Sequence, residues 1–248
     1  MKGITGEKYA AMKAGGKIMA QIFDDLRDVT EVGINEKWLD KYCEKKILEY
    51  GAEVAYYEDD PNFPGAICIS VNDELIHGVP EDRDLEDGDK VSFDLVIKYH
   101  GYYVDSAFTM IVGNASSAEK NLLKVTEASL YAGIDQVKPG ARLGDVGYAV
   151  ERVLKKGKLG VIVNYVGHGI GEKMHMPPEV PNFGKKGAGE MLKPGDIICI
   201  EPMSSMGKID TRVGDDGWTV FLKDGSLGAH FEHTVLVTED GYEILTQL

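Results

Sequence analysis

Four segments of the chain carry hydrophobic residues at every third or fourth position, which is the spacing of an amphipathic helix. Their ends carry helix-boundary signals. Asn35 has the position of an N-cap, and Ser116 with Glu119 has the spacing of a capping box. The helices are predicted at about 7–28, 35–50, 116–137 and 143–156.

Other segments are continuously apolar and rich in β-branched residues, which predicts strands. Two of them, 91–99 and 102–112, flank His100-Gly101 and predict a β-hairpin. After residue 160 the pattern favours strands and loops. The remaining strands are predicted within 66–71, 161–171, 196–203, 218–222, 231–238 and 242–245.

The order of helices followed by strands occurs twice, which suggests an internal repeat. A Gly-Asp pair and four further residues precede both Asp94 and Glu201, which are 107 residues apart. Gly33 and Gly140, each before the second helix of its half, are separated by the same 107 residues. Gly-Asp turns are common, so coincidence stays open. The shared offset nevertheless favours a duplication whose equivalent carboxylates face one cleft.

Composition narrows the choice of partners. Of 248 residues, 41 are acidic and 27 basic, which gives a formal net charge of −14 at pH 7. That balance argues against a nucleic-acid binder or a protein that coats an anionic membrane, since both need a basic face. No segment approaches the ~18 consecutive apolar residues of a membrane span. The N-terminal segment lacks a signal-peptide pattern, and three isolated cysteines predict a cytoplasmic protein with reduced thiols.

Four carboxylates interrupt otherwise apolar strands, where an unpaired charge is costly to bury. Asp94 and Asp105 share one face of the predicted hairpin. A four-residue turn would place them directly opposite, and a shift of two residues would make them diagonal neighbours. Glu201 and Glu232 interrupt the runs IICIEPM and FEHTVLV. Taken alone, the two aspartates could also be solvated residues of an edge strand.

His168 lies in the glycine-flanked motif YVGHGIG, where a ligand can approach the backbone closely. A lone histidine of this kind is more often structural than a ligand. Clustered carboxylates, however, repel one another unless they are protonated or bound to metal. The set therefore predicts a pair of cations, and oxygen-rich ligation with one nitrogen suits Mn, Fe, Co or Zn.

Six motifs occur in order along the chain: SVNDELIHGVP, FDLVIKYHGYYVDSAFT, YVGHGIGEKMHMPPEVP, ICIEPM, DDGWTV and FEHTVLVT. On these motifs the chain resembles the type I methionine aminopeptidases of the short bacterial form, in peptidase family M24. The resemblance implies an α+β pita-bread fold, in which helices cover a curved antiparallel sheet. It also implies one catalytic domain over 1–248, with pseudo-two-fold halves at about 1–113 and 114–248.

The resemblance further implies two divalent metal ions (Co, Mn, Fe or Zn), with Asp105 and Glu232 bridging them. A metal-activated water would attack the scissile carbonyl, with Glu201 as general base. His175 would stabilise the oxyanion, and His77 would contact the scissile amide or the leaving nitrogen. The full ligand set would be Asp94, Asp105, His168, Glu201 and Glu232.

The same resemblance also implies roles for residues near this ligand set. His230 and His233, which flank Glu232, are expected to be structural or to support the ligands. Met176 replaces a usual acidic residue, and 59–65 also departs from the family pattern, which affects pocket shape rather than reaction class. The pocket for the first residue would be formed by Tyr57, Phe63, Cys68, Met174 and Trp218, an apolar set that suits methionine.

The implied function is metal-dependent removal of the initiator methionine from nascent proteins and peptides, with preference for a small second residue. The family resemblance implies a monomer, and ribosome association would suit such an enzyme although no motif for it is visible. Two alternatives stay open. A proline-specific aminopeptidase or prolidase shares the ligands but usually has a separate N-terminal domain. A non-catalytic binding protein on the same fold would be expected to have lost ligands.

Overall fold

The structure is a computed structural model that describes residue 4 and residues 6–248. The helices among these residues are α1 (Gly6–Val29), α2 (Glu36–Glu49), α3 (Tyr56–Asp59), α4 (Ser117–Ile134) and α5 (Leu143–Lys156). Within the described residues, no helix combines the length and the apolar character needed to cross a membrane.

The strands fall into two groups along the chain. The first group is β1 (Glu53–Val54), β2 (Cys68–Val71), β3 (Glu74–Ile76), β4 (Lys90–Tyr99) and β5 (Tyr102–Ile111). The second group is β6 (Gly160–Val161), β7 (Gly167–Gly169), β8 (Met176–Val180), β9 (Ile197–Ile200), β10 (Met203–Ser205), β11 (Thr211–Val213), β12 (Val220–Leu222), β13 (Gly228–His230), β14 (Glu232–Val237) and β15 (Tyr242–Ile244).

A nine-stranded antiparallel sheet dominates the fold. Its main path is β1-β4-β5-β14-β9-β7-β8, with β15 added beside β14 and β2 beside β4. Two three-stranded sheets accompany it, in the orders β13-β10-β6 and β11-β12-β3. Helix α1 contacts β4 and β5, whereas α4 contacts β9 and β14, so each half of the chain supplies a helix to cover its own part of the sheet.

The four helices predicted from hydrophobic spacing are confirmed, and so are their caps. The side chain of Asn35 accepts a hydrogen bond from the Lys37 backbone N–H at the start of α2. Ser116 and Glu119 form the complete capping box of α4. The short helix α3 has no counterpart in the prediction.

The hairpin between β4 and β5 turns through His100 and Gly101 alone, both at positive φ (49° and 82°). Asp94 therefore pairs with Ala107, and Asp105 pairs with Val96. The two aspartates are diagonal neighbours on one face, which is the second of the two predicted registers.

The opposite face of this hairpin forms the core under α1. The ring of Phe93 lies 5.2 Å from that of its cross-strand neighbour Phe108, between ring centroids. Phe108 in turn meets Phe23 of α1 edge-on, with the centroids 4.8 Å apart. The alternation of side chains along β4 and β5 thus separates an aromatic core face from a face that carries carboxylates.

Hydrogen bonds recur at the 107-residue offset. The N–H of Gly33 donates to the Leu85 carbonyl at 2.7 Å, and the N–H of Gly140 donates to the Leu192 carbonyl at 2.9 Å. Both glycines have positive φ, 88° and 84°, which a side chain would strain. Helices α2 and α5, both 14 residues long, begin at equivalent positions. This recurrence supports the proposal that the halves, about 1–113 and 114–248, arose by duplication.

Candidate metal centre

Five consecutive strands of the large sheet, β4-β5-β14-β9-β7, each supply one predicted metal ligand to the same cavity. Four of these ligands lie within their strands, and Glu201 follows β9 directly. The cavity has a volume of about 110 Å³. In the order of the strands, the ligands are Asp94, Asp105, Glu232, Glu201 and His168.

The four carboxylates are at most 9% exposed, and Glu232 is only 2% exposed. His168 stands among them, with its Nε2 3.6 Å from Asp105 Oδ2 and 3.6 Å from Glu201 Oε1. Its Nδ1 donates a hydrogen bond of 3.0 Å to the Gly169 carbonyl. In the neutral ring, this bond leaves the lone pair of Nε2 directed at the carboxylates.

Electrostatics in the cavity disfavour four free carboxylates. Burial, together with the charge of Asp105, raises the pKa of Asp94, Glu201 and Glu232 well above the usual range. Burial lowers the pKa of His168, but the nearby Asp105 carboxylate outweighs burial and raises it overall. Among the described residues, no lysine or arginine forms an ion pair with these carboxylates.

The donor set fits divalent cations. Asp105 Oδ1 and Glu232 Oε1 are buried and have no hydrogen-bond partner within the described part of the chain. Oxygen donors with one imidazole nitrogen are suited to borderline divalent metals, and bound cations would offset the carboxylate repulsion that raises the pKa values.

The two histidines predicted for the cleft lie at its exposed rim. His77 and His175 both line the cavity. The ring of His175 meets that of His168 edge-on, with the centroids 4.5 Å apart. His77 has a positive φ of 57° and faces the ring of Tyr165 at 6.3 Å between centroids. Both imidazoles are therefore placed to meet a substrate that enters over the carboxylates.

One wall of the cavity is apolar. Phe63 meets Trp218 edge-on at 5.5 Å between ring centroids. Cys68 on β2 is the direct cross-strand partner of Asp94 on β4. The predicted pocket residues that line the cavity are Phe63, Cys68, Met174 and Trp218.

The prediction for Tyr57 is wrong. Its side chain is 51% exposed, and its hydroxyl donates a 2.5 Å hydrogen bond to Glu44 outside the cavity. Tyr56 lines the cavity instead, with its hydroxyl 3.3 Å from the Cys68 sulfur. Both tyrosines lie in α3, where neighbouring side chains diverge by about 100°. Because no sequence pattern predicted α3, the sequence could not show which tyrosine faces inward.

Cys199 is a further residue beside the ligands. Its sulfur lies within 4.8 Å of ligand atoms of Asp105, His168 and Glu232. Burial and the carboxylates around it raise the pKa of this thiol well above its usual value, and the sulfur lies 3.6 Å from the Thr234 hydroxyl. A protonated thiol is a poor metal ligand, so we interpret Cys199 as part of the floor of the site.

The two histidines that flank Glu232 differ from each other. His233 is structural, as expected, since its Nδ1 lies 2.9 Å from the Thr246 hydroxyl and its Nε2 lies 3.3 Å from that of Tyr131. His230 lies among the ligands, and burial lowers its pKa to about 3. The sequence does contain a signal for the position of His230. Side chains alternate along an extended chain, so residues 230 and 232 fall on the same side.

Comparisons with known proteins give one consistent family. Residues 10–239 match metallopeptidase family M24. Methionine aminopeptidase 1 of Bacillus subtilis (strain 168) is 41% identical over 244 residues, which cover 98% of each chain. The crystal structure of methionine aminopeptidase from Thermotoga maritima is 37% identical and has a TM-score of 0.96, with both chains fully covered. Prolidase from Pyrococcus furiosus shares the fold, at 22% identity and a TM-score of 0.79, over 98% of this chain and 65% of the prolidase.

Proposed function

Because the chain belongs to metallopeptidase family M24 and, within it, to the methionine aminopeptidases, we propose that it removes the initiator methionine from nascent proteins and peptides. The fold is the α+β pita-bread fold of that family. The observation that carries the proposal is a single cavity in which all five predicted ligands adjoin an apolar wall.

We propose that this cavity would hold two divalent cations, for which Asp105 and Glu232 would be the shared ligands. The partnerless oxygens of these two residues support the assignment. Such cations act as Lewis acids toward a scissile carbonyl and lower the pKa of a coordinated water. Cobalt, manganese, iron and zinc all suit the donor set. The ligands would be Asp94, Asp105, His168, Glu201 and Glu232.

The protein's own groups would handle the proton and the developing charge. Glu201 lies at the end of its strand, at the edge of the cavity, where it can take a proton from the attacking water and pass it to the leaving amine. His175 lies beside His168 and would stabilise the oxyanion. His77, on the same rim, would contact the scissile amide or the leaving nitrogen.

The wall of the pocket would recognise the first residue. Cys68 and Asp94 are direct cross-strand partners, so an apolar contact and a carboxylate stand side by side. Cys68 would contact the methionine side chain, and Asp94 would bind the free α-amine beside it. Recognition of a free α-amine explains exopeptidase action. Met174 and the ring pair Phe63–Trp218 would complete the apolar contact. We also propose a preference for a small second residue, which rests on the resemblance to the methionine aminopeptidases.

We further propose that the enzyme acts in the cytoplasm, where nascent chains are made and thiols stay reduced. Its cysteines, Cys43, Cys68 and Cys199, are all free and buried. One chain supplies all five predicted ligands and four of the five predicted pocket residues, so the cavity needs no residue from a second copy, which supports a monomer. Association with the ribosome would bring the cavity to its substrate.

A peptide assay tests this function. The EDTA-treated protein, reloaded with Mn²⁺ or Co²⁺, should release methionine from Met-Ala-Ser, and EDTA should stop the release. An Xaa-Pro peptide is the matched control and should stay intact. Cleavage of Xaa-Pro with Met-Ala-Ser left intact would establish the prolidase alternative. Metal binding with no cleavage of either peptide would favour a non-catalytic binding protein.

A further inference from the structure

His230 lies in the metal centre, although the family resemblance does not place it among the ligands. It ends β13, two residues before Glu232, and its side chain is 2% exposed. Its Nδ1 is 3.9 Å from Asp94 Oδ2. Its Nε2 is 3.9 Å from Glu201 Oε2 and 3.9 Å from Glu232 Oε2. One imidazole therefore faces three of the five predicted ligands.

Neither ring nitrogen of His230 has a hydrogen-bond partner among the residues that the structure describes. A neutral imidazole has one N–H donor and one lone pair, and both need partners when they are buried. Asp94 Oδ2, nearest to Nδ1, can accept from the N–H. When a cation is bound, Glu201 and Glu232 are ionised and have no proton to donate, so they cannot satisfy the lone pair of Nε2. That lone pair needs an electron-pair acceptor, and a cation held by these two carboxylates is one.

His168 provides the internal comparison. Its Nδ1 donates to the Gly169 carbonyl, and its Nε2 lies 3.6 Å from each of two carboxylate oxygens. Metal-bound histidines commonly donate their second ring N–H to a carbonyl or carboxylate, which directs the other nitrogen to the metal. Ligand atoms that share a cation at bonds of about 2.1 Å lie about 3.0–3.4 Å apart. Both imidazoles thus need only a small movement toward the carboxylates.

We propose that His230 is a sixth protein ligand of the metal centre, supplying a second imidazole nitrogen to the cation that Glu201 and Glu232 share. This inference rests on the metal site of the proposed function. It has a consequence for metal choice, because imidazole suits Co, Fe and Zn better than Mn, which prefers oxygen ligands. The chain should therefore discriminate against Mn²⁺ more strongly than a site with a single nitrogen.

Proton NMR of the cobalt-loaded protein tests the proposal without measuring activity. The full chain is stripped of metal and given one equivalent of Co²⁺. Each coordinated imidazole then contributes one exchangeable N–H signal that the paramagnetic ion shifts far downfield. The wild-type protein should show two such signals, and His230→Gln should show one. Calorimetric titration should find Co²⁺ affinity weakened by about 10–100-fold in the variant, with a smaller loss for Mn²⁺.

His233→Gln is the matched control. It removes the histidine that follows Glu232 in the sequence and whose nitrogens contact Thr246 and Tyr131 instead, so it should keep both signals. One shifted N–H in the wild-type protein, retained in His230→Gln, would overturn the role of His230 and leave the proposed function standing. A wild-type protein that binds no Co²⁺ would overturn both. If His230→Gln fails to fold, the number of signals in the wild-type spectrum decides.

Discussion

Two clusters of buried carboxylates lie in this protein, and they differ in where their positive charge comes from. The structural cluster, defined as Glu36, Glu74, Arg83 and Lys90, contains its own cation, Arg83, while burial lowers the pKa of Lys90 to about 7. Arg83 hydrogen-bonds to Glu36 and, at 3.0 Å, to Glu74. The fully buried Lys90 donates to the carbonyls of Ser70 and Glu74 at 3.0 and 2.7 Å. The metal centre gathers four carboxylates beside imidazoles, with no such lysine or arginine among the described residues.

The pKa shifts express the same difference. Burial raises the pKa of Glu36 and Glu74, and Arg83 counteracts that rise for both. In the metal centre, burial raises the pKa of Glu201 and the charge of Asp105 raises it further. The chain thus supplies a cation to the structural cluster, whereas the carboxylates of the metal centre have none among the described residues, which supports a bound cation there.

The largest effect should follow from Glu201→Gln, which removes a metal ligand and the proposed base together. We expect methionine release from Met-Ala-Ser to fall by at least about 10³-fold, measured as kcat/KM with saturating Mn²⁺. Glu36→Gln, in the structural cluster, serves as the control and should lose stability while its kcat stays within about twofold of wild type. Equal losses of activity in both variants would remove the functional distinction between the clusters.

Arg83→Gln should produce the opposite pattern to Glu201→Gln. It leaves Glu36 and Glu74 buried without their main cation, so we expect the free energy of unfolding to fall by about 3 kcal/mol. Urea denaturation measures this change, and kcat for the folded fraction should stay near wild type. A variant as stable as the wild-type protein would show that the structural cluster does not depend on its arginine.

Metal removal should make stability depend on pH. Because the pKa values of Asp94, Glu201 and Glu232 are raised in the fold, the folded chain holds more protons than the unfolded chain above about pH 4. With EDTA, these groups should make the free energy of unfolding fall as pH rises from about 4 toward neutrality. Bound Co²⁺ should remove this fall, since the cation replaces the protons.

Urea titrations at matched pH values, with EDTA and with Co²⁺, test this prediction. The gap is the difference between the two free energies of unfolding at each pH. The gap should widen with rising pH, because only the EDTA curve falls. Groups outside the metal centre contribute equally to both curves and cancel. A gap independent of pH would contradict the assignment of the three raised pKa values to the metal site.

The smallest effect concerns the two adjacent tyrosines at the edge of the cavity. Tyr56→Phe removes the hydroxyl that contacts the Cys68 sulfur, and we expect KM for Met-Ala-Ser to rise by about fivefold, the equivalent of about 1 kcal/mol. Tyr57→Phe removes only an exposed hydrogen bond to Glu44 and should leave KM unchanged. Equal KM values for the two variants would show that the orientation of α3 does not affect substrate binding.

Local signals in the sequence predicted much of the fold. Helix caps such as Asn35 and the Ser116–Glu119 box act within one turn of helix, so the sequence around them was sufficient. The carboxylates of the metal centre were visible because each interrupts an apolar strand. The hairpin register was narrowed to two choices, and the length of the turn at His100-Gly101 decided between them.

The features that the sequence did not predict depend on contacts between distant segments. Which of Tyr56 and Tyr57 faces the cavity depends on the orientation of α3 against β2. The position of His230 depends on how β13 approaches the ligands. In the sequence, Lys90 is a charged residue at the start of a strand. It can be buried because its ammonium group donates hydrogen bonds to the carbonyls of Ser70 in β2 and Glu74 in β3. No local pattern carries such information, because the partners meet only after the sheet has assembled.

The predicted ligands come from five neighbouring strands, so metal binding at this centre would require the folded sheet. The first half of the chain supplies Asp94 and Asp105, and the second half supplies the other three ligands, so neither half can complete the centre alone. A partly synthesised chain that contains only the first half has Asp94 and Asp105 but lacks the other three predicted ligands. The centre is complete only when β14 lies between β5 and β9. The proposed chemistry therefore requires the assembled sheet.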